Sequence, residues 1–177
     1  MRRTELLNPI TLIPIGKLLL PEAELSNIKK KVSKVLKREV RIGKGIPLPI
    51  EAFDSLRNQW RATRIVQSLP DLNGLIIGIV DQDLYAPNLN FVFGEAHPHQ
   101  GKAVVSTARL APVPQHLEEE GLFRQRIIKE LIHEIGHLLG LPHCPDKKCV
   151  MYFSNSISDT DRKGTDFCRE CLRNLSQ

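Results

Sequence analysis

The sequence has few aromatic side chains, few cysteines and no long uninterrupted apolar run at its start. Its longest apolar stretch near the N-terminus, Ile10 to Leu20, is broken by Pro14, Gly16 and Lys17. A membrane-spanning helix needs about 20 consecutive apolar residues, so this stretch does not qualify. Met1-Arg2-Arg3 leads into Glu5, Asn8 and Pro9 instead of an apolar segment, which reads poorly as a secretory signal. The expectation is a cytosolic protein with no membrane partner. Internal repeats and low-complexity linkers are also missing, so the 177 residues read as one domain. A chain of that length buries roughly 70% of its unfolded surface around a single core.

What is present is an ordinary globular mixture, 41% apolar and 25% charged. The net charge of +5 comes largely from one segment. Lys29, Lys30, Lys31, Lys34, Lys37, Arg38, Arg41 and Lys44 are opposed there by Glu39 alone. Leu25, Ile28 and Val32, followed by Val35 or Leu36, recur through it at helical spacing. A solvated helix face accounts for the lysines, and contact with nucleic acid is the alternative.

Apolar runs and helical patterns alternate through the first half. Ile10 to Ile15 reads as a strand and Pro21 to Arg38 as an amphipathic helix opened by proline and acidic residues. Val40 to Ile50 reads as an irregular strand, and Ser55 to Leu69 as a helix ended by Pro70. Leu75 to Val80 is nearly continuous in apolar residues, as in a buried parallel strand. Asn90 to Phe93 and Ala103 to Thr107 complete the strand candidates. Glu118 to Leu139 is one long helix with an acidic first turn and a stripe of Phe123, Ile127, Leu131, Ile135 and Leu138. Beyond Gly140 the only further helical segment is Phe167 to Leu175. Strands interleaved with helices indicate a mixed α/β or α+β architecture.

The long helix carries the chemistry. His133 and His137 are four residues apart, hence separated by about 40° around the helix and about 6 Å along it. Two imidazoles at that spacing can share one tetrahedral ion. Glu134 follows the first of them, which sets its carboxylate beside an open metal position. Gly140 suits the left-handed position that ends the helix, and Pro142 prevents its resumption, so His143 can return to the same ion. For a chain of this composition and length, the full spacing arises by chance on the order of three times in a hundred thousand. Three neutral imidazoles leave a zinc ion its full charge and one open position for water. Bound water then has its pKa brought down to around 7. Glu134 can take its proton and return it to a leaving amine, and no serine or cysteine is placed to form a covalent intermediate.

Cys144 and Cys149 form one close pair, Cys168 and Cys171 another, with none left over. In the cytosol disulfides rarely persist, so two such pairs read as a closed, structural four-thiolate zinc site. A redox Cys-x-x-Cys at a helix start is the rival reading of Cys168 and Cys171. It leaves the other pair unexplained.

The run His-Glu-Ile-Gly-His-Leu-Leu-Gly-Leu-Pro-His-Cys from His133, then Cys149-Val150-Met151, then Cys168-Arg169-Glu170-Cys171, resembles the archaemetzincins, a family of metzincin metallopeptidases. The resemblance implies catalytic zinc ligands at His133, His137 and His143, a base at Glu134 and a second zinc on the four cysteines. It also implies that Met151 is the Met-turn methionine. The spacing from Met151 to Cys168 is one residue shorter than the family pattern. Where some metzincins have a tyrosine two positions after the methionine, this chain has Phe153, with Tyr152 one earlier. The implied fold is a twisted, mostly parallel sheet with one antiparallel edge strand above the cleft, for which Asn90 to Phe93 is the candidate. An extended peptide substrate would pair with that edge. His97 and His99 read as exposed loop residues.

In this reading residues 1–117 supply sheet and flanking helices, 118–143 the active-site helix and third ligand, and 144–177 the Met-turn and cysteine region. The expected function is hydrolysis of peptide bonds in peptide or protein substrates, with two zinc ions per chain. Against it stand a nucleic-acid-binding zinc protein and a catalytically silent zinc protein. The cysteine region lacks interleaved basic and aromatic residues, and Glu134 is intact, which weighs against both.

Overall fold

The computed structural model describes residues 8–112 and 120–175. The start of the chain through Glu5, and the acidic residues Glu118 and Glu119, lie outside them. Five strands form the main sheet: β1 (Ile10–Ile15), β2 (Val40–Ile42), β5 (Leu75–Val80), β7 (Gly94–His97) and β8 (Lys102–Ser106), in the order β2-β1-β5-β8-β7. All neighbours are parallel except β7, which runs antiparallel to β8 at the edge. A smaller sheet joins β3 (Phe53–Asp54), β4 (Gln59–Arg61) and β6 (Leu84–Tyr85). The helices are α1 (Glu22–Leu36), α2 (Ala62–Ser68), α3 (Glu120–Leu138), α4 (Ile157–Arg162) and α5 (Arg169–Leu175).

Alternation along the central strands divides the core between the two faces. Ile10, Leu12, Ile77, Ile79, Ala103 and Val105 pack with residues of α1 and α3. Ile13, Ile15, Ile76, Val80 and Val104 pack with Ile65 and Val66 of α2. Because β1, β5 and β8 are covered on both sides, they carry apolar residues almost throughout, as their sequences indicate. α1 buries Leu25, Ile28 and Val32 and ends at Lys37 in the left-handed conformation (φ 52°). Its lysines occupy the outer face, and no residue of α1 lines the cleft described below.

Several sequence expectations need correction. The helix expected over Ser55 to Leu69 is confined to Ala62–Ser68. Before it, the Asp54 carboxylate accepts the Leu56 and Arg57 amides at 3.0 and 3.2 Å, and Asn58 has φ 52°. This side-chain-capped turn folds 53–61 into the β3–β4 hairpin instead. Val40 to Ile50 keeps only β2 as strand, with an isolated bridge from Ile46 to Ile15, because glycine and proline interrupt the rest. The edge strand is Gly94–His97, not Asn90–Phe93. Phe91 and Phe93 stack edge-to-face at 5.1 Å, and Val92 bridges to Leu84 of the smaller sheet. His97 is accordingly a half-buried strand residue bonded to Glu95, while His99 is exposed. Helix α4 adds a second helical segment beyond Gly140, where the sequence pattern indicates one.

The region after Gly140 belongs to the main core, to which Leu141, Cys144, Cys149, Val150, Met151 and Cys171 all contribute. α4 is fastened to α3 by polar contacts. Arg126 forms a two-armed ion pair with Asp161, both arms 2.7 Å, and Lys129 donates to the Thr160 and Asp161 carbonyls at 2.9 and 3.0 Å.

Candidate metal centre and its cleft

The final turns of α3 point two imidazoles at one spot. His133 Nδ1 lies 2.8 Å from the Val150 carbonyl, and His137 Nδ1 lies 2.8 Å from the Leu141 carbonyl. A carbonyl can only accept, so each Nδ1 carries the proton and each Nε2 is left with a lone pair. The two Nε2 atoms stand 3.2 Å apart. The chain returns through Gly140, at φ 90°, where an L side chain would be strained. Leu141 N–H donates to the Gly136 carbonyl at 2.9 Å, closing the turn that delivers His143. The ligand atoms of His133, His137 and His143 then all lie within 4.8 Å of one another. Burial holds His133 well below, and His137 and His143 below, the ordinary histidine range. All three therefore favour the neutral form that a metal requires. Convergent lone pairs with no proton between them fit a cation and little else.

Glu134 is 5% exposed, in the wall of the same cleft. Burial, reinforced by the carboxylates of Glu130 and Glu95, pushes its carboxyl well above the usual range. The edge strand passes directly over it: a Cβ on Gly94 would lie 2.6 Å from Glu134 Oε1 and 2.7 Å from the Val104 carbonyl. Met151 is fully buried beneath α3, and a Cβ on Gly136, between the two helical histidines, would overlap its Sδ. The Phe153 ring centroid lies 4.7 Å from that of His143, at the position where some metzincins have a tyrosine. The cleft encloses about 500 Å³, with Phe91, Val92, Phe93 and Phe153 on its apolar side.

The four cysteine sulfurs also fall within 4.8 Å of one another, and none is in a disulfide. Cys144 approaches Cys168, and Cys149 approaches Cys171, each at 3.7 Å. Burial pushes the Cys144 thiol up to about 11 and raises Cys171 further, so a cluster of thiolates needs a cation to neutralise it. The Cys144 amide donates to the Met151 carbonyl at 2.9 Å, tying this cluster to the Met151 turn.

Other residues of the site are less visible in the sequence. Glu130 precedes Glu134 by one helical turn on the same face, a spacing visible in the sequence. Its partner Lys163 and the Gly94 and Gly136 contacts are long-range and leave no such spacing. Glu95, in the cleft wall, receives the Thr63 hydroxyl at 2.7 Å and contacts His97 Nε2 at 2.7 Å.

A parallel sheet with one antiparallel edge above a histidine–glutamate helix defines a zinc metallopeptidase of the metzincin kind. The whole-chain comparisons agree. The model for peptidase family M54 matches residues 3–177. An archaemetzincin of Methanocaldococcus jannaschii is 47% identical over 131 residues, 73% of each chain. That of Pyrococcus furiosus is 39% identical, covering 95% of this chain and 92% of its own. The crystal structure of Archaeoglobus fulgidus archaemetzincin complexed with malonate superposes with a TM-score of 0.82 at 35% identity, covering 93% and 98% of the two chains. A zinc-dependent peptidase from Methanocorpusculum labreanum gives 0.80 at 30% identity, covering 94% and 99%. The chain belongs to peptidase family M54, the archaemetzincins. It is thus a zinc metallopeptidase acting on peptide or protein substrates, and the nucleic-acid reading is not favoured. Among the described residues, no helix is long and apolar enough to cross a membrane.

Proposed function

We propose that residues 1–177 act as one metallopeptidase domain with two zinc ions. His133, His137 and His143 hold the catalytic ion, and Cys144, Cys149, Cys168 and Cys171 hold a structural one. The observation that carries this reading is the convergence of three imidazoles beside a buried glutamate. When bound, the catalytic zinc supplies a water of lowered pKa and polarises the scissile carbonyl. Glu134 takes the proton of that water as general base and delivers it to the leaving amine. The Val150 and Leu141 carbonyls fix the tautomers of His133 and His137, so neither ring must reorient. Gly140 makes the turn to His143, and Met151 floors the helix at Gly136. An ion held by the four cysteines would join the 144–149 segment to Cys168 and Cys171 at the start of α5. A cytosolic location, where disulfides rarely persist, goes with this use of the four cysteines as metal ligands.

The test is Glu134→Gln, with zinc content and peptide hydrolysis measured together. The expected outcome is unchanged zinc with hydrolysis reduced about a hundredfold or more, since general-base catalysis contributes 10²–10⁴-fold. Loss of one zinc along with activity would show Glu134 to be a ligand instead.

A further inference from the structure

The proposed reaction leaves one buried charge pair in the cleft unused. Glu130 is 2% exposed and lines the cleft one turn before Glu134. Its Oε1 accepts the Thr160 hydroxyl at 2.9 Å and pairs with Lys163 Nζ at 3.0 Å. Lys163 is itself buried and reaches the Tyr152 carbonyl at 3.5 Å. Among the described residues Glu130 Oε2 has no hydrogen-bond partner. The other bonds between α3 and α4, from Arg126 and Lys129, already fasten the two helices. A further strut would be expected to engage both carboxylate oxygens, whereas Oε2 is not one of the fully buried atoms left without a partner and so keeps access to the cleft. Here both partners fall on one oxygen, and the second is left over in a residue that lines a cleft walled by Phe91, Val92, Phe93 and Phe153.

We propose that Glu130 is a specificity-determining residue whose Oε2 accepts a hydrogen bond from a donor-bearing side chain of the peptide, next to the scissile bond. Lys163 and Thr160 are positioning residues that hold it for that contact. The substrate class is peptides with Lys, Arg, Gln, Asn, Ser or Thr at that position. Lys163 offsets the charge of Glu130, so neutral donors are recognised as well as cations. This inference rests on the peptidase reading above.

The test uses zinc-loaded enzyme and matched peptides differing only in a donor: Thr against Val, Gln against Met, Lys against norleucine. Each pair is set in turn on either side of the cleaved bond. A site built to bond a donor rejects the isostere that lacks it, so kcat/KM should favour the donor member about tenfold or more at one of the two positions. In Glu130→Leu/Lys163→Met, where an apolar pair replaces the ionic one, the ratio should fall to about one. Melting temperature and zinc content check that variant's fold, and Glu130→Gln is the second variant should it not fold. There the ratio should also fall, because the amide offers the cleft a donor in place of an acceptor. Wild-type ratios near one at both positions, or an unchanged ratio in either folded variant, would overturn the inference and leave the peptidase reading standing. No hydrolysis of any peptide by the zinc-loaded wild type would overturn that reading and the inference with it.

Discussion

At the scale of single residues, the site depends as much on missing side chains as on present ones. Gly94 lets the edge strand lie against Glu134, where a Cβ would sit 2.6 Å from its Oε1 and 2.7 Å from a backbone carbonyl that cannot yield. Gly94→Ala must therefore displace the strand, the carboxylate or both. Overpacking of this kind costs about 1–3 kcal/mol. The expected outcome is a lowered melting temperature, both zinc ions retained and kcat reduced about tenfold or more, since small misplacements of reacting groups are costly. Parallel measurement of metal content and kinetics checks it, and wild-type kcat would mean that strand and base are not coupled. A glycine in a sequence does not announce its neighbour, so this contact was not legible. The histidines were, because their spacing alone orients them.

At the scale of elements, the segment from Leu141 to Met151 joins the two proposed metal sites through the adjacent His143 and Cys144. Its sequence suggests little intrinsic order, but the structure gives it support of its own. Leu141 bonds to Gly136, Cys144 to Met151, Cys149 to Asp146 and Val150 to Asp166. A structural zinc contributes roughly 10–16 kcal/mol of apparent binding free energy, more than these bonds supply together. Cys171→Ser should therefore lower the melting temperature markedly and weaken retention of the catalytic zinc as well. His137→Ala should empty only the histidine site and leave the fold near wild type. Zinc content and thermal melts of both variants check the asymmetry. Full retention of catalytic zinc in Cys171→Ser would mean that the backbone bonds suffice to hold His143. The β3–β4 hairpin carries the same lesson in reverse. Its residues look helical by apolar spacing, yet Asp54 caps the Leu56 and Arg57 amides and turns the chain first.

At the scale of the whole molecule, protein prepared without chelator should contain close to two zinc ions per chain by elemental analysis. Chelation should remove them in two stages. The histidine ion, open on the cleft side with His143 exposed, leaves first with loss of hydrolysis and little change in melting temperature. The cysteine ion, held by three buried thiols and one half-buried, leaves later with loss of the fold. Simultaneous loss would mean that the two sites form one cooperative unit.

The sequence by itself determined the α/β layering, the long histidine-bearing helix and the family, and it marked the two candidate ligand sets, because each is written in local spacing. A period of 3.6 orients His133 and His137, a period of 2 sorts Ile10 to Ile15 between two faces, and Gly140 with Pro142 marks the turn. Only the tertiary structure decided which strand is the edge. The aromatic run Phe91 to Phe93 has the stronger strand propensity, but those rings are drawn into the cleft wall and core. That leaves the more polar Gly94–His97 to pair with β8 at the sheet margin. Only the structure, too, set Lys163 beneath Glu130 across 33 residues of chain, since the partner of a buried charge is fixed by how helices dock and not by any pattern along them.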